Sequence, residues 1–178
     1  MAVSFRKATL GDVPAIQTLI SDSAWGLARV DYSDAQIEAA LQSAWGVDTQ
    51  LIRDGTYVVA DCERKLIACG GWSWRRTLFG GDAQAGRQSE ALDPTCDPAR
   101  IRAFFVHPAW ARRGLGRAML EHCEQSARAR GFRCAELLAT LPGERLYRVC
   151  GYVSQDARAY PLPNHQTITF VPMRKARI

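Results

Sequence analysis

Arg112-Arg113-Gly114-Leu115-Gly116-Arg117-Ala118 follows an apolar run over 101–106 and opens a helical pattern that continues to Arg130. Two glycines at alternate positions, then small Ala118, let the backbone turn tightly and aim several N–H groups one way. A helix start adds its unpaired N–H donors and the positive end of its dipole at the same spot. With arginines around it, the turn is a socket for an anion, a diphosphate first of all.

The flanking patterns set the fold class. Upstream, the continuous apolar run after Arg102 fits a central strand, ended by His107-Pro108. Downstream, Leu115, Met119, Cys123 and Ala127 recur at four-residue steps and face inward, while Glu124 and Arg128 pair outside. Residues 3–8 alternate like a strand. Asp12 caps a first helix, with Pro14 early and Ile16, Leu19 and Ile20 as its apolar stripe. A loop over 25–32 precedes a second helix that starts at Ser33 or Asp34. Residues 56–61 and 65–74 read as strands joined by a polar turn at Glu63-Arg64.

Residues 78–100 hold Gly80-Gly81, Gly86, Pro94 and Pro98 and no sustained period, so they form a long loop, functional or disordered. Beyond the central helix, 133–140 is a short strand and 142–149 a short helix closed by Gly151. Residues from Tyr152 onward and 166–173 form a last hairpin around 161–164, and 174–177 a solvated tail. This order predicts an α/β (α+β) protein, one domain over 1–178, with a mixed central sheet of about six to seven strands flanked by helices.

Composition narrows the class. The chain has 178 residues, 47% of them apolar, and a net charge of +5 carried mostly by arginine. That charge attracts anions, but the arginines are scattered outside 112–117, so no nucleic-acid partner is expected. No apolar run reaches membrane-span length, and no charged-then-apolar leader precedes the strand at Val3, so a cytoplasmic protein without a membrane partner is expected. Six cysteines occur without a C-x-x-C pair and read as buried thiols. His122 and Cys123 are adjacent and point to different helix sides, so no metal is expected there or elsewhere.

Order and motif together resemble the GCN5-related N-acetyltransferase (GNAT) superfamily over nearly the full chain. Arg113-Gly114-Leu115-Gly116-Arg117-Ala118 is similar to that family's pyrophosphate loop, and Leu146-Tyr147-Arg148-Val149-Cys150-Gly151-Tyr152 to its tyrosine block. The resemblance implies an acyl-CoA N-acyltransferase fold, with a bulge that splays the fourth strand from the fifth. It implies acetyl-CoA as co-substrate, its diphosphate held at Arg112, Arg113, Gly114, Leu115, Gly116, Arg117 and Ala118. The pantetheine arm then runs along the main chain of Phe104, Phe105 and Val106. Where many members carry asparagine, this chain has Thr140 followed by Pro142-Gly143, so that contact does not carry over.

Acyl transfer to an amine needs a base for the amine, stabilisation of the oxyanion and a proton for the departing thiolate. The resemblance makes Tyr147 the acid. The base is open between Glu136, Glu90, Asp93 and a water relay, while His107 before a proline reads as a structural hydrogen bond. Cys123 and Cys150 sit at inward positions and read as core. Trp72 and Trp74 share one strand face and, with Trp25 and Tyr32, line an acceptor pocket or simply pack the core. Asp82, Glu90, Asp93 and Asp97 against Arg87 and Arg100 make the long loop locally acidic, which suits a cationic amine. The expected function is transfer of an acetyl group to a primary amine of a small molecule or peptide, by a monomer or homodimer. The alternative is a non-catalytic acyl-CoA-binding sensor.

Overall fold

The computed structural model describes residues 3–178. In chain order the elements are β1 (Ser4–Lys7), α1 (Val13–Leu27), α2 (Asp34–Leu41), α3 (Thr49–Arg53), β2 (Tyr57–Cys62), β3 (Lys65–Ser73), β4 (Ala99–Val106), α4 (Leu115–Ala129), β5 (Ala135–Thr140), α5 (Glu144–Val149), β6 (Val153–Ser154), β7 (Arg158–Pro161) and β8 (Thr167–Lys175). The strands form one mixed eight-stranded sheet in the order β1-β2-β3-β4-β5-β8-β6, with β7 also on β8. The count exceeds seven because the segment after Tyr152 pairs with β8 in two pieces, Val153–Ser154 and Arg158–Pro161.

Local chemistry accounts for the boundaries. Glu63 and Arg64 both adopt positive φ, the two-residue turn that matches strand twist. Ser33 caps α2 by accepting from the Gln36 N–H at 3.2 Å while Gln36 accepts in return from the Ser33 N–H. Asp12 precedes α1 as expected, but its carboxylate bonds Arg6 and Thr9 rather than the helix. The expected loop at 25–32 starts later, because α1 runs on to Leu27.

α1 and α2 cover one sheet face, packing Ile16, Ile20 and Ile37 on Val59, Cys69 and Ile168. α4 covers the other, where Leu120, Cys123 and Ala127 meet Ile101, Leu137 and Ala139. Two readings at the edge of α4 are corrected. Glu124 does not pair with Arg128 outside; it is buried and meets Lys175 of β8 at 2.8 Å. Lys175 therefore belongs to the last strand, not to a solvated tail. A carboxylate so buried persists only with a cation beside it, and β8 supplies one.

β4 parts from β5 and bulges against β3, and that opens the site. Toward β5, only Ala99↔Ala135 and Arg100↔Glu136 pair before the strands part, which is the expected splay. Toward β3, Cys69 faces Phe105 and Gly71 faces Arg102, so two residues of β4 oppose Gly70 alone. The extra residue is Ala103, at φ +57°. A left-handed alanine costs about 1 kcal/mol or more, which the surrounding pairing must offset.

Candidate active site

The turn before α4 has the geometry of an anion socket. Gly114 sits at φ +83°, ψ −3° as the residue ahead of the helix, and Arg112 is left-handed too at φ +65°. Leu115, Gly116 and Arg117 then present first-turn N–H groups that no helical carbonyl can reach. Among the described residues, the Arg113 and Gly114 N–H groups also find no backbone acceptor. The Ala118 N–H is different: it donates to the Gly114 carbonyl at 3.0 Å. The free donors therefore run from Arg113 to Arg117, and Ala118 contributes its smallness. Gly116 is small for another reason, since a Cβ there would lie 2.9 Å from Leu146 of α5.

A cavity of about 540 Å³ leads away from this turn. It passes Phe104, Phe105 and Val106 of β4 and the ring of Tyr147, through the gap left by the splay. Its far end is walled by Leu27, Trp45, Phe79 and Phe170. Arg112, Gly114, Leu115, Gly116 and Arg117 line it near the turn; Arg113 does not, and its guanidinium instead lies 4.9 Å over the Trp110 ring. The structure thus brings the expected turn, strand edge and tyrosine into one space.

Tyr147 is buried on α5, its ring edge-on to Phe104 at 6.2 Å and Tyr152 at 5.9 Å. Burial pushes its hydroxyl well above the ordinary value of 10.0, and the Cys123 and Cys150 sulfurs add to the effect. The group therefore stays protonated at neutral pH, a hydroxyl and not a phenolate, with a proton it can donate. Thr140 also lines the cavity, but its hydroxyl oxygen accepts from the Gly143 N–H at 3.2 Å and so shapes the entry to α5.

The base candidates fall away from this space. Glu136 pairs with Arg100 and faces a second, smaller pocket beside Arg158 and Arg174. Glu90 is exposed, and Asp93 holds a turn by accepting from the Thr95 N–H at 2.8 Å. His107 accepts from the Ala109 N–H at 3.2 Å, the structural role expected of it. Cys123 is fully buried with its thiol pushed up by burial, so it packs rather than reacts.

The aromatic and acidic readings also need correction. Trp72 and Trp74 do share a face, with rings 5.6 Å apart, but it is the α4 face. Trp72 donates to the Ser126 hydroxyl, and Trp74 carries Arg130 at 3.5 Å. Trp25 carries Arg29, while the Tyr32 hydroxyl donates to the Thr169 carbonyl and accepts from the Leu141 N–H. None of the four lines the cavity; Trp45, Phe79 and Phe170 do. Of the loop over 78–100, only Leu78, Phe79 and Gly80 reach it. Asp82 accepts from the Thr49 N–H at the start of α3 and Asp97 from the Asp93 N–H in a local turn, so neither acid faces the cavity.

A cluster that sequence reasoning missed sits at the far end. Asp48 is fully buried and caps α3 by accepting from the Gln50 N–H. Its carboxylate lies between two guanidiniums, Arg87 Nη2 at 2.7 Å and Arg102 Nη1 at 2.8 Å. Arg87 also donates to the Gly80 and Gly81 carbonyls, and Arg102 to Gly80 at 2.7 Å. Gly81 permits this, because its backbone is pressed against Gly46.

The fold recurs in solved structures described as acetyltransferases. The family model described as acetyltransferase (GNAT) domain matches residues 53–154, from the end of α3 to β6 and across the anion turn. No curated protein matches the sequence. A GCN5-related N-acetyltransferase structure from Rhodopseudomonas palustris superposes with a TM-score of 0.72 at 17% identity, over 99% of this chain and 96% of that one. The PaiA N-acetyltransferase of Thermoplasma acidophilum, solved with coenzyme A, gives 0.67 at 13% identity over 99% of both chains. The ribosomal-protein-S18-alanine N-acetyltransferase of Escherichia coli gives 0.59 at 15% identity, over 99% of this chain and 96% of that one. At such identities the superpositions speak for the fold, and the matched domain carries the assignment: the chain belongs to the GNAT acetyltransferase family.

Proposed function

We propose that the protein transfers an acetyl group from acetyl-CoA directly to a primary amine of a small molecule or peptide. The observation that carries this reading is the single cavity joining helix-start amides, the released edge of β4 and Tyr147. In it, the diphosphate accepts from the N–H groups of Gly114 to Arg117, with Arg112 and Arg117 adding positive charge. The pantetheine arm lies in the splay along Phe104, Phe105 and Val106 and carries the thioester toward Tyr147. The amine enters from the end walled by Trp45, Phe79 and Phe170.

Chemistry follows from that alignment. The amine nitrogen attacks the thioester carbon, the C–S bond breaks, and the sulfur takes its proton from the Tyr147 hydroxyl. The cavity-lining residues include no carboxylate or imidazole, so the proton lost by nitrogen leaves through water and restores Tyr147. The whole chain, 1–178, acts as one unit in the cytoplasm without nucleic acid or membrane. Titration calorimetry with acetyl-CoA, then thiol release over a panel of amines, tests the reading. One-site binding and amine-dependent thiol release are expected; absent heat refutes it, and binding with no turnover of any amine supports the acyl-CoA sensor instead.

A further inference from the structure

Counting charge at the far end of the cavity gives an imbalance. Among the described residues, Asp48 is the one carboxylate within ion-pair distance of both Arg87, 21% exposed, and Arg102, so the two guanidiniums carry one positive charge more than the carboxylate between them offsets. Arg102 is the member that lines the cavity. Its side chain is only 3% exposed, yet among the described residues its Nε–H has no hydrogen-bond partner. Its Nη1 lies 2.8 Å from Asp48 Oδ2 as an ion pair without a hydrogen bond, so among the described residues that oxygen is unsatisfied as well. A buried guanidinium with an idle donor and surplus charge is costly unless an anion meets it.

Position decides which reactant brings that anion. Arg102 lies just before the bulge at Ala103, while Phe104 to Val106 lead the other way, toward the anion turn. The acyl donor already finds its phosphate socket at that turn. The surplus charge therefore faces the acceptor. We infer that the acceptor is an amine that also carries a carboxylate, and that this carboxylate docks on Arg102. Leu27, Trp45, Phe79 and Phe170 form the rest of this end, so the acceptor's body is apolar: an amino acid with an apolar side chain. The expectation drawn from the acidic loop is reversed, since the charged groups lining the cavity are all arginines.

This inference rests on the acetyltransferase reading above, and the experiment separates the two. Thiol release from acetyl-CoA is measured with leucine, methionine, phenylalanine and tryptophan, each beside its amide and its decarboxylated amine. For the preferred member, the acid is expected to exceed its amide by at least about 100-fold in kcat/KM, mostly through KM. Arg102→Gln should shrink that ratio to within about 3-fold while acetyl-CoA affinity persists, and Arg102→Lys should recover part of it. If Arg102→Gln does not fold, the wild-type ratio and the lysine variant decide. Amides turned over as well as acids, turnover confined to amines without a carboxylate, or a ratio surviving in Arg102→Gln overturns the inference and leaves the amine reading intact. Failure of the wild-type protein to bind acetyl-CoA removes both.

Discussion

Replacing Gly114 by alanine tests the anion turn, and Gly86 provides a matched control. Both glycines have positive φ, +83° and +73°, and an added Cβ at either meets nothing within 4 Å. Each substitution therefore costs backbone strain without a steric clash, about 1–2 kcal/mol for a left-handed alanine. Lower chain entropy in the unfolded state returns about 0.4–1 kcal/mol, so melting temperatures should fall by only about 1–4 °C. The two sites differ in what the strain does. At Gly114, relaxing φ toward negative values turns the amides at the start of α4 away from the cavity. Each N–H bond to a charged oxygen contributes about 1.5–3 kcal/mol, so losing one weakens acetyl-CoA by about tenfold to hundredfold. At Gly86, in an exposed loop outside the cavity, affinity should not move. Calorimetric titration of both variants with acetyl-CoA, beside thermal melts, reads the two effects separately. Gly114→Ala binding within about 3-fold of wild type at a lowered melting temperature would refute the assignment of the diphosphate to this turn.

Three further outcomes follow from the same geometry. Tyr147→Phe keeps the ring contacts with Phe104 and Tyr152 and removes the donor, so kcat should fall about 100-fold while acetyl-CoA affinity holds; unchanged kcat would remove Tyr147 from the chemistry. Burial pushes the Cys69 thiol from 9.0 up to about 12 and the Tyr32 hydroxyl from 10.0 up to about 12. Folded values above unfolded ones mean full stability below pH 9 and loss as pH rises toward 12, so the urea midpoint should decline over that window and Cys69→Ala should flatten its onset. Gly81→Ala drives a Cβ to 2.7 Å from the Gly46 backbone, which cannot swing aside; a loss of about 1–3 kcal/mol in urea unfolding is expected, and wild-type stability would mean the loop is not seated there.

The anion turn was legible because its chemistry is local. A glycine pair, the strand before it and the stripe Leu115, Met119, Cys123 and Ala127 all lie within one short stretch, and each proved buried or positioned as the spacing predicts. The splay and the tyrosine came through the family resemblance. What failed was information that depends on the partner layer. Alternation says that Trp72 and Trp74 share a face; it cannot say which, and Ser126 and Arg130 of the α4 segment claimed them. Glu124 sits at an ordinary outer spacing, yet β8 brings Lys175 against it. The five-residue α3 is too short to carry a period, so nothing in the sequence marked Asp48 as a cap between two arginines. Ala103 gives no signal either, since nothing in an alanine marks it for the left-handed region.

That alanine nevertheless organises the site. Ahead of the bulge, Ala99 and Ile101 pack on the α4 side, which leaves Arg100 and Arg102 on the other. Strict alternation would return position 105 to the α4 side. Instead one residue is added at Ala103, so Phe104 packs there against Tyr147 and Phe105 joins the α1 side. The phase change has a chemical result. Before the bulge, the strand presents a cation to one end of the cavity; after it, an aromatic contact with Tyr147, beside backbone released from β5. With Ala103 kept and paired in regular alternation, Phe105 and not Phe104 would stand on the Tyr147 side. On the proposed function, the bulge at Ala103 is what allows a single strand to serve two reactants of different polarity.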